Sequence, residues 1–261
     1  MEEYMYEYLR RNEIRSNWVY LPIFWTNLQN HPGFSSKKAN YQILLNRALE
    51  NMASDTTYFT IVQHDDGPQL YVPNLIVFGA CTGTIPLPLI YEDTSQRLLS
   101  SPRLPKDLLA SFVGTYTTHS IRQKILTEMR TKMDIHFHAK STWEVKVAPS
   151  DSDAFVEITS RSKFCLAPRG YGRSSFRFVE ALQLGVVPVY LWDDIEWLPY
   201  KETLDYSKFS ISVSSHQIPQ LYEFLSSISD QKYQEMVEEG KKVHHWFTLE
   251  GMAQYVVSRL S

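Results

Sequence analysis

Apolar residues at Tyr41, Leu44, Leu45, Ala48, Leu49 and Met52 fall at i, i+3, i+4, i+7, i+8 and i+11. That is the spacing of one helix face, and Ser36 ahead of it is a capping residue, so the pattern predicts a helix starting near position 36. Apolar runs of strand length lie around it at 18–24, 58–62 and 75–78. Farther along, a strand at 108–113 leads through Gly114-Thr-Tyr-Thr-Thr118 into a helix with Ile121, Ile125 and Met129 on one face. Strands at 134–138, 164–167, 186–191 and 209–213 alternate with helices, and helical segments near 219–228, 232–246 and 249–260 close the chain. Such alternation is the mark of parallel, doubly wound α/β sheets. Two Rossmann-like blocks are expected, 1–107 and 108–248, joined by the Pro- and Ser-containing stretch 85–105.

The richest chemistry lies between Lys163 and Leu191. An apolar run ends in Arg169-Gly-Tyr-Gly-Arg-Ser-Ser175, and a helix follows. Gly170 and Gly172 let the backbone turn sharply, and Ser174 or Ser175 can cap the helix. Its first-turn N–H groups and positive dipole end then point into the loop, where Arg169, Arg173 and Arg177 add charge. A diphosphate fits that field. Glu180, one turn deeper on the same face as Arg177, is placed to accept from ribose hydroxyls; the competing reading is an i,i+3 ion pair between the two. Gly114 opens a second strand–loop–helix anion site, with Arg122 either a donor contact or a member of a solvated face.

These residues resemble the exostosin-like glycosyltransferases, glycosyltransferase family 47. The shared pattern runs through Cys165, Leu166, Pro168, Gly170, Ser175, Arg177, Glu180, Ala181, Gly185, Pro188 and Val189. It continues in Trp197-Leu-Pro-Tyr200 and Leu204-Asp-Tyr-Ser-Lys-Phe-Ser210, where the family has Leu-Pro-Phe and Asp-Trp-x-x-Phe-Ser. Ser111-Phe-Val-Gly114 with Ile121-Arg122, and more weakly Tyr58 to Pro68, extend it upstream. The resemblance implies a GT-B fold with donor and acceptor meeting between the blocks, and a last helix, 249–261, packing back on the first block. It also implies an inverting, metal-independent transfer from a UDP-sugar to a glycan hydroxyl, with no cofactor. Family donors include UDP-xylose, UDP-galactose, UDP-glucuronate and UDP-GlcNAc; UDP-xylose is the expected one here.

Composition narrows the setting. A net charge of −3 and 43% hydrophobic residues over 261 positions describe a globular chain without the concentrated basic face of a nucleic-acid binder. Cys81 and Cys165 form neither a disulfide framework nor a zinc motif. No apolar run reaches membrane-spanning length, so the expectation is a soluble intracellular enzyme, like those that large algal viruses encode, or else a trimmed Golgi lumenal domain.

Transfer also needs a base for the acceptor proton. His64-Asp65-Asp66, where a strand runs into a Gly-Pro turn, offers Asp65 or Asp66 as that base, with His64 as alternative or orienting partner; a plain turn is the competing reading. Asp151-Ser-Asp153 matches the metal-binding Asp-x-Asp literally. It follows Ala148-Pro-Ser150 and precedes a predicted helix at Ala154, however, so helix capping is the better account. His136, His138, His244 and His245 lack metal-ligand spacing. An NAD(P)-dependent oxidoreductase is the alternative: Gly170-x-Gly172-x-x-Ser175 nearly completes the dinucleotide fingerprint, with Asp193-Asp194 after the next strand. Ser175 in place of the third glycine weakens it. A sugar-nucleotide-binding module without catalysis is the third reading.

Overall fold

The computed structural model describes residues 1–90, 95–102, 104–142 and 148–260. Its first block opens with α1 (Glu2–Arg11), β1 (Val19–Tyr20), α2 (Trp25–Gln29) and α3 (Phe34–Leu49), followed by β2 (Tyr58–Val62), β3 (Leu75–Gly79) and β4 (Ile85–Pro86). These strands form a parallel sheet in the order β1-β2-β3-β4. All five positions of β2 are buried, as a central parallel strand covered on both faces requires. The stretch 85–105 is not a plain linker: it holds β4 and α4 (Ser95–Leu99). Pro86 is tolerated there because β4 is an edge strand. The helix predicted from Ser36 starts at Phe34, and Leu44 on its expected apolar face is 59% exposed while Tyr41 and Leu45 pack inward.

The second block comprises β5 (Leu108–Thr115), α5 (Ser120–Met129), β6 (Ile135–Lys140), α6 (Pro149–Arg161), β7 (Ser162–Pro168), α7 (Phe176–Gln183), β8 (Val187–Trp192), β9 (Ile211–Ser214), α8 (Ile218–Ser227), α9 (Asp230–Val243) and α10 (Leu249–Ser258). Its sheet is also parallel, in the order β6-β5-β7-β8-β9. The chain leaves β5 toward β6 and returns on the other side as β7. The strand order therefore switches between β5 and β7, where open α/β sheets place their ligands, beyond the carboxyl ends of the strands. Ile121, Ile125 and Met129 are all buried against this sheet.

One apolar cluster joins the blocks. Phe59 and Phe78 of the first sheet share it with Ala167, Phe178 and Tyr190 of the second and with Met252 and Val256 of α10. α10 reaches α1, where Tyr4 Oη donates to Glu250 at 2.8 Å, and Ser16 Oγ donates to the Leu260 carbonyl at 3.0 Å.

Asp151 and Asp153 do not precede a helix at Ala154. They lie inside α6, whose N-cap is Ala148 and whose first turn Pro149 opens. Asp151 accepts from Lys140 and Asp153 from Arg97. Proline has no N–H to leave unsatisfied at a helix start, which moves the beginning of α6 upstream of the acidic pair. Among the described residues no helix is long and apolar enough to cross a membrane, and no three His, Cys, Asp or Glu side chains come together as a metal-binding group.

Candidate active site

The loops at the carboxyl ends of β5 and β7 are tied together by Arg122. Its Nε donates to the Arg169 carbonyl at 2.8 Å, Nη1 to Thr115 at 2.7 Å and Nη2 to Pro168 at 3.1 Å. Burial, with the positive Arg177 nearby, pushes this guanidinium down to about 10. Arg122 is thus a staple between the two loops rather than part of a solvated face, with only its remaining N–H groups left for a ligand.

The other arginines are each matched by a carboxylate. Arg177 forms the i,i+3 pair with Glu180, while its Nε donates to the Val113 carbonyl at 2.8 Å and its guanidinium lies 4.2 Å above the Phe155 ring. The pair is therefore anchored to the end of β5 instead of lying loose on the surface. Arg169 Nη1 donates to Asp193 at 2.7 Å and to Asp194 at 2.6 Å, and Arg173 Nε to Asp194 at 2.8 Å. Burial opposes the charge of Asp194, but the Ile195 N–H with Arg173 and Arg169 outweighs it and holds the carboxyl at about 2. Asp193 also meets His119 Nε2 at 3.3 Å. His119 is the N-cap of α5, its Nδ1 accepting from the Ile121 N–H at 3.2 Å, so the neutral ring carries its proton on Nε2, facing Asp193. Burial first, and Arg169 next, lower its pKa.

Neither serine caps α7 as expected. Ser175 occupies the N-cap position without a side-chain cap bond, and Ser174 Oγ donates instead to the Ala80 carbonyl in the first block. The first turn of α7 is left without a side-chain cap. Close by, Thr118 is buried with its hydroxyl unpartnered, near Gly170. Buried hydroxyls are nearly always hydrogen-bonded, so this one is an open acceptor or donor inside the site.

The first block meets these loops with the ends of β2 and β3. After β2, His64 Nδ1 accepts from the Asp66 N–H at 3.2 Å and Gly67 takes a positive φ of 71°, which closes a tight turn. The buried Glu2 carboxylate braces the start of that turn by accepting from the Gln63 N–H at 2.8 Å. Asp65 is the triplet member brought to the glycine loop: a Cβ on Gly172 would lie 2.3 Å from Asp65 Oδ1. After β3, Thr82 Oγ1 accepts from Arg173 at 3.4 Å, and the Gly79 carbonyl accepts from Trp197 Nε1 at 3.2 Å. Cys81 is buried beneath this contact; desolvation and then the charge of Asp65 push its thiol well up, so it is inert.

Gly114, Gly170, Arg169, Arg173, Ser175, Arg177, Glu180 and Asp65 are thus gathered around the switch point, with the carboxyl ends of both sheets facing each other. His119, Thr118 and Thr82 were not singled out from sequence. Asp193 and Asp194 were, but as dinucleotide ligands; their position after β8 beside the glycine loop was the signal for a place in this site.

Two parallel α/β units facing across their carboxyl ends make the GT-B arrangement. The chain matches the Exostosin GT47 domain over residues 78–228, more than half its length, and belongs to that family. It is 37% identical to a probable glycosyltransferase of Arabidopsis thaliana over 34% of this chain and 19% of the relative. It is 38% identical to the Exostosin-1 homolog of Caenorhabditis elegans over 34% of this chain and 23% of the relative. A probable glucuronosyltransferase of Oryza sativa subsp. japonica is 24% identical over 87% of this chain and 64% of the relative. The matched part is thus about a fifth of the first two relatives. Among solved structures, TarM aligns at a TM-score of 0.48 with 8% identity, covering 84% of this chain and 53% of TarM. Sucrose-phosphate synthase from Thermosynechococcus elongatus aligns at 0.47 with 12% identity, covering 97% and 69%.

Proposed function

We propose that this chain is an inverting glycosyltransferase that moves a sugar from a UDP-sugar to a hydroxyl of a glycan acceptor, without a metal, with Asp65 as base. The observation that carries this reading is the approach of Asp65 to the Gly172 loop, which sets a carboxylate from one block against an anion-binding loop of the other. The transition state is oxocarbenium-like, and negative charge gathers on the departing diphosphate. The uncapped first turn of α7, the α5 N-terminus, the Thr118 hydroxyl and the remaining N–H groups of Arg122 and Arg177 are the groups that stabilise it. Glu180, oriented by Arg177, accepts from the ribose. Displacement from the face opposite the leaving group turns an α-linked donor into a β-linked product, and UDP-xylose is the first donor to try.

The dinucleotide alternative asks Asp193 or Asp194 to bind a ribose. Both carboxylates are held by Arg169, and Asp194 by Arg173 as well, which disfavours that role. Parallel assay of Asp65→Asn, Asp66→Asn and His64→Ala with NMR of the product anomer tests the proposal. Asp65→Asn is expected to lower turnover by about 10²–10⁴, the usual worth of a general base, while donor affinity survives. Full activity in Asp65→Asn, or an α-linked product, moves the base elsewhere or changes the stereochemistry.

A further inference from the structure

The charges around the switch point balance. Arg169, Arg173 and Arg177 are paired with Asp193, Asp194 and Glu180, Arg122 feels the negative charge of Asp65, and His119 lies between Asp193 and the α5 N-terminus. A diphosphate placed here is held mainly by helix N-termini and hydrogen bonds, since little net positive charge is left over. The balance is also uneven in space. The side chains of Arg169 and Arg173 are 11% and 26% exposed, whereas those of Asp193 and Asp194 are 30% and 41% exposed, so the carboxylates are the more solvent-open members of these pairs. These carboxylates flank Arg169-Gly-Tyr-Gly-Arg173, and Arg173 reaches across to Thr82 of the first block. The sugar must lie over that loop if the diphosphate is at α7 and the acceptor hydroxyl at Asp65. A sugar bearing its own carboxylate would add a negative charge beside these two carboxylates, and both arginines of the loop are already paired with them.

We infer that the transferred sugar is uncharged, and that Asp193 and Asp194 select a neutral sugar donor against a uronate. The inference rests on the UDP-sugar reading and narrows it. Like-charge placement is the repulsive half of specificity, and at side chains this open to solvent it responds to salt. The arginines hold the two carboxylates fixed in direction, which makes the repulsion one of geometry as well as of charge.

Calorimetric titration with UDP, UDP-glucose, UDP-xylose and UDP-glucuronate tests this, because glucose and glucuronate differ only in a carboxylate at C6. UDP-glucuronate is expected to bind at least about tenfold more weakly than UDP-glucose, a difference of about 1.4 kcal/mol. Asp194→Asn and Asp193→Asn are each expected to narrow that gap. In the unmodified protein, raising salt to about 0.5 M is expected to narrow it too, which supplies a test independent of how the variants fold. UDP-glucuronate binding as tightly as UDP-glucose overturns the inference while leaving the UDP-sugar reading intact. A gap that neither substitution nor salt changes overturns the role of the acidic pair. Failure of UDP itself to bind overturns both readings.

Discussion

Gly172 and Asp65 approach so closely that a methyl group on the glycine would sit 2.3 Å from the Asp65 carboxylate and 2.4 Å from Cys81 Sγ. No real Cβ contact is that short, so the loop of one block reaches the carboxylate of the other only because position 172 carries no side chain. Gly172→Ala is expected to push the blocks apart at this point, destabilising the fold by about 1–3 kcal/mol as overpacking does and lowering turnover more than UDP affinity. Urea unfolding and steady-state kinetics check it. Unchanged kcat would mean that Asp65 need not be held against the loop.

Arg177→Ala removes a guanidinium bonded to Val113 and Glu180 at the mouth of the site. UDP affinity is expected to fall by about 1.5–3 kcal/mol, the range for a hydrogen bond to a charged group. Calorimetry of this variant beside Glu180→Gln separates the roles. Lost stability with unchanged UDP affinity in Arg177→Ala would reduce the arginine to a strut between α7 and β5.

Tyr200 is buried with its hydroxyl unpartnered, at a position where the family pattern carries phenylalanine. A buried polar atom without a partner costs about 1–3 kcal/mol, so Tyr200→Phe is expected to raise the melting temperature without altering donor affinity. A lower melting temperature would show that the hydroxyl has found a partner.

Asp194 titrates at about 2 in the folded chain against an ordinary 3.8. A depressed carboxylate contributes stability that is complete above its unfolded value and is lost as pH falls through the folded one. Denaturation midpoints are therefore expected to drop between about pH 4 and pH 2, and to drop less steeply in Asp194→Asn, since a paired carboxylate is then absent. Identical acid profiles would mean that the Arg169–Asp194–Arg173 contacts do not persist in solution.

The central elements of the fold were legible because their patterns are local. A run rich in apolar and β-branched residues such as Tyr58 to Val62 has few alternatives to a buried strand, and the repeat of Ile121, Ile125 and Met129 has few alternatives to a helix face. The glycine loop, Arg177 and Glu180 were readable for the same reason, being contiguous. What escaped depends on contacts far apart in sequence. Arg122 looks like any first-turn arginine until the carbonyls of Pro168 and Arg169 are brought beside it. Ser174 looks like a cap until the Ala80 carbonyl, 94 positions away, offers a better acceptor. Asp193 and Asp194 satisfied a dinucleotide pattern by spacing alone, and only the fold shows them paired with arginines.

The proposed metal independence is tested by chelation. Activity is expected to persist in excess EDTA, with Asp151 and Asp153 serving as partners of Lys140 and Arg97. Loss in EDTA with recovery on adding manganese would place a metal in the reaction and reopen the assignment of the leaving-group site.

The most direct test of the account is a calorimetric titration of the intact chain with UDP and, separately, with NAD. Glycosyl transfer from a UDP-sugar at the β5–β7 switch point requires that UDP bind with one-site stoichiometry and NAD not bind. NAD binding without UDP binding would contradict it and turn the glycine loop and Asp193-Asp194 into a dinucleotide site.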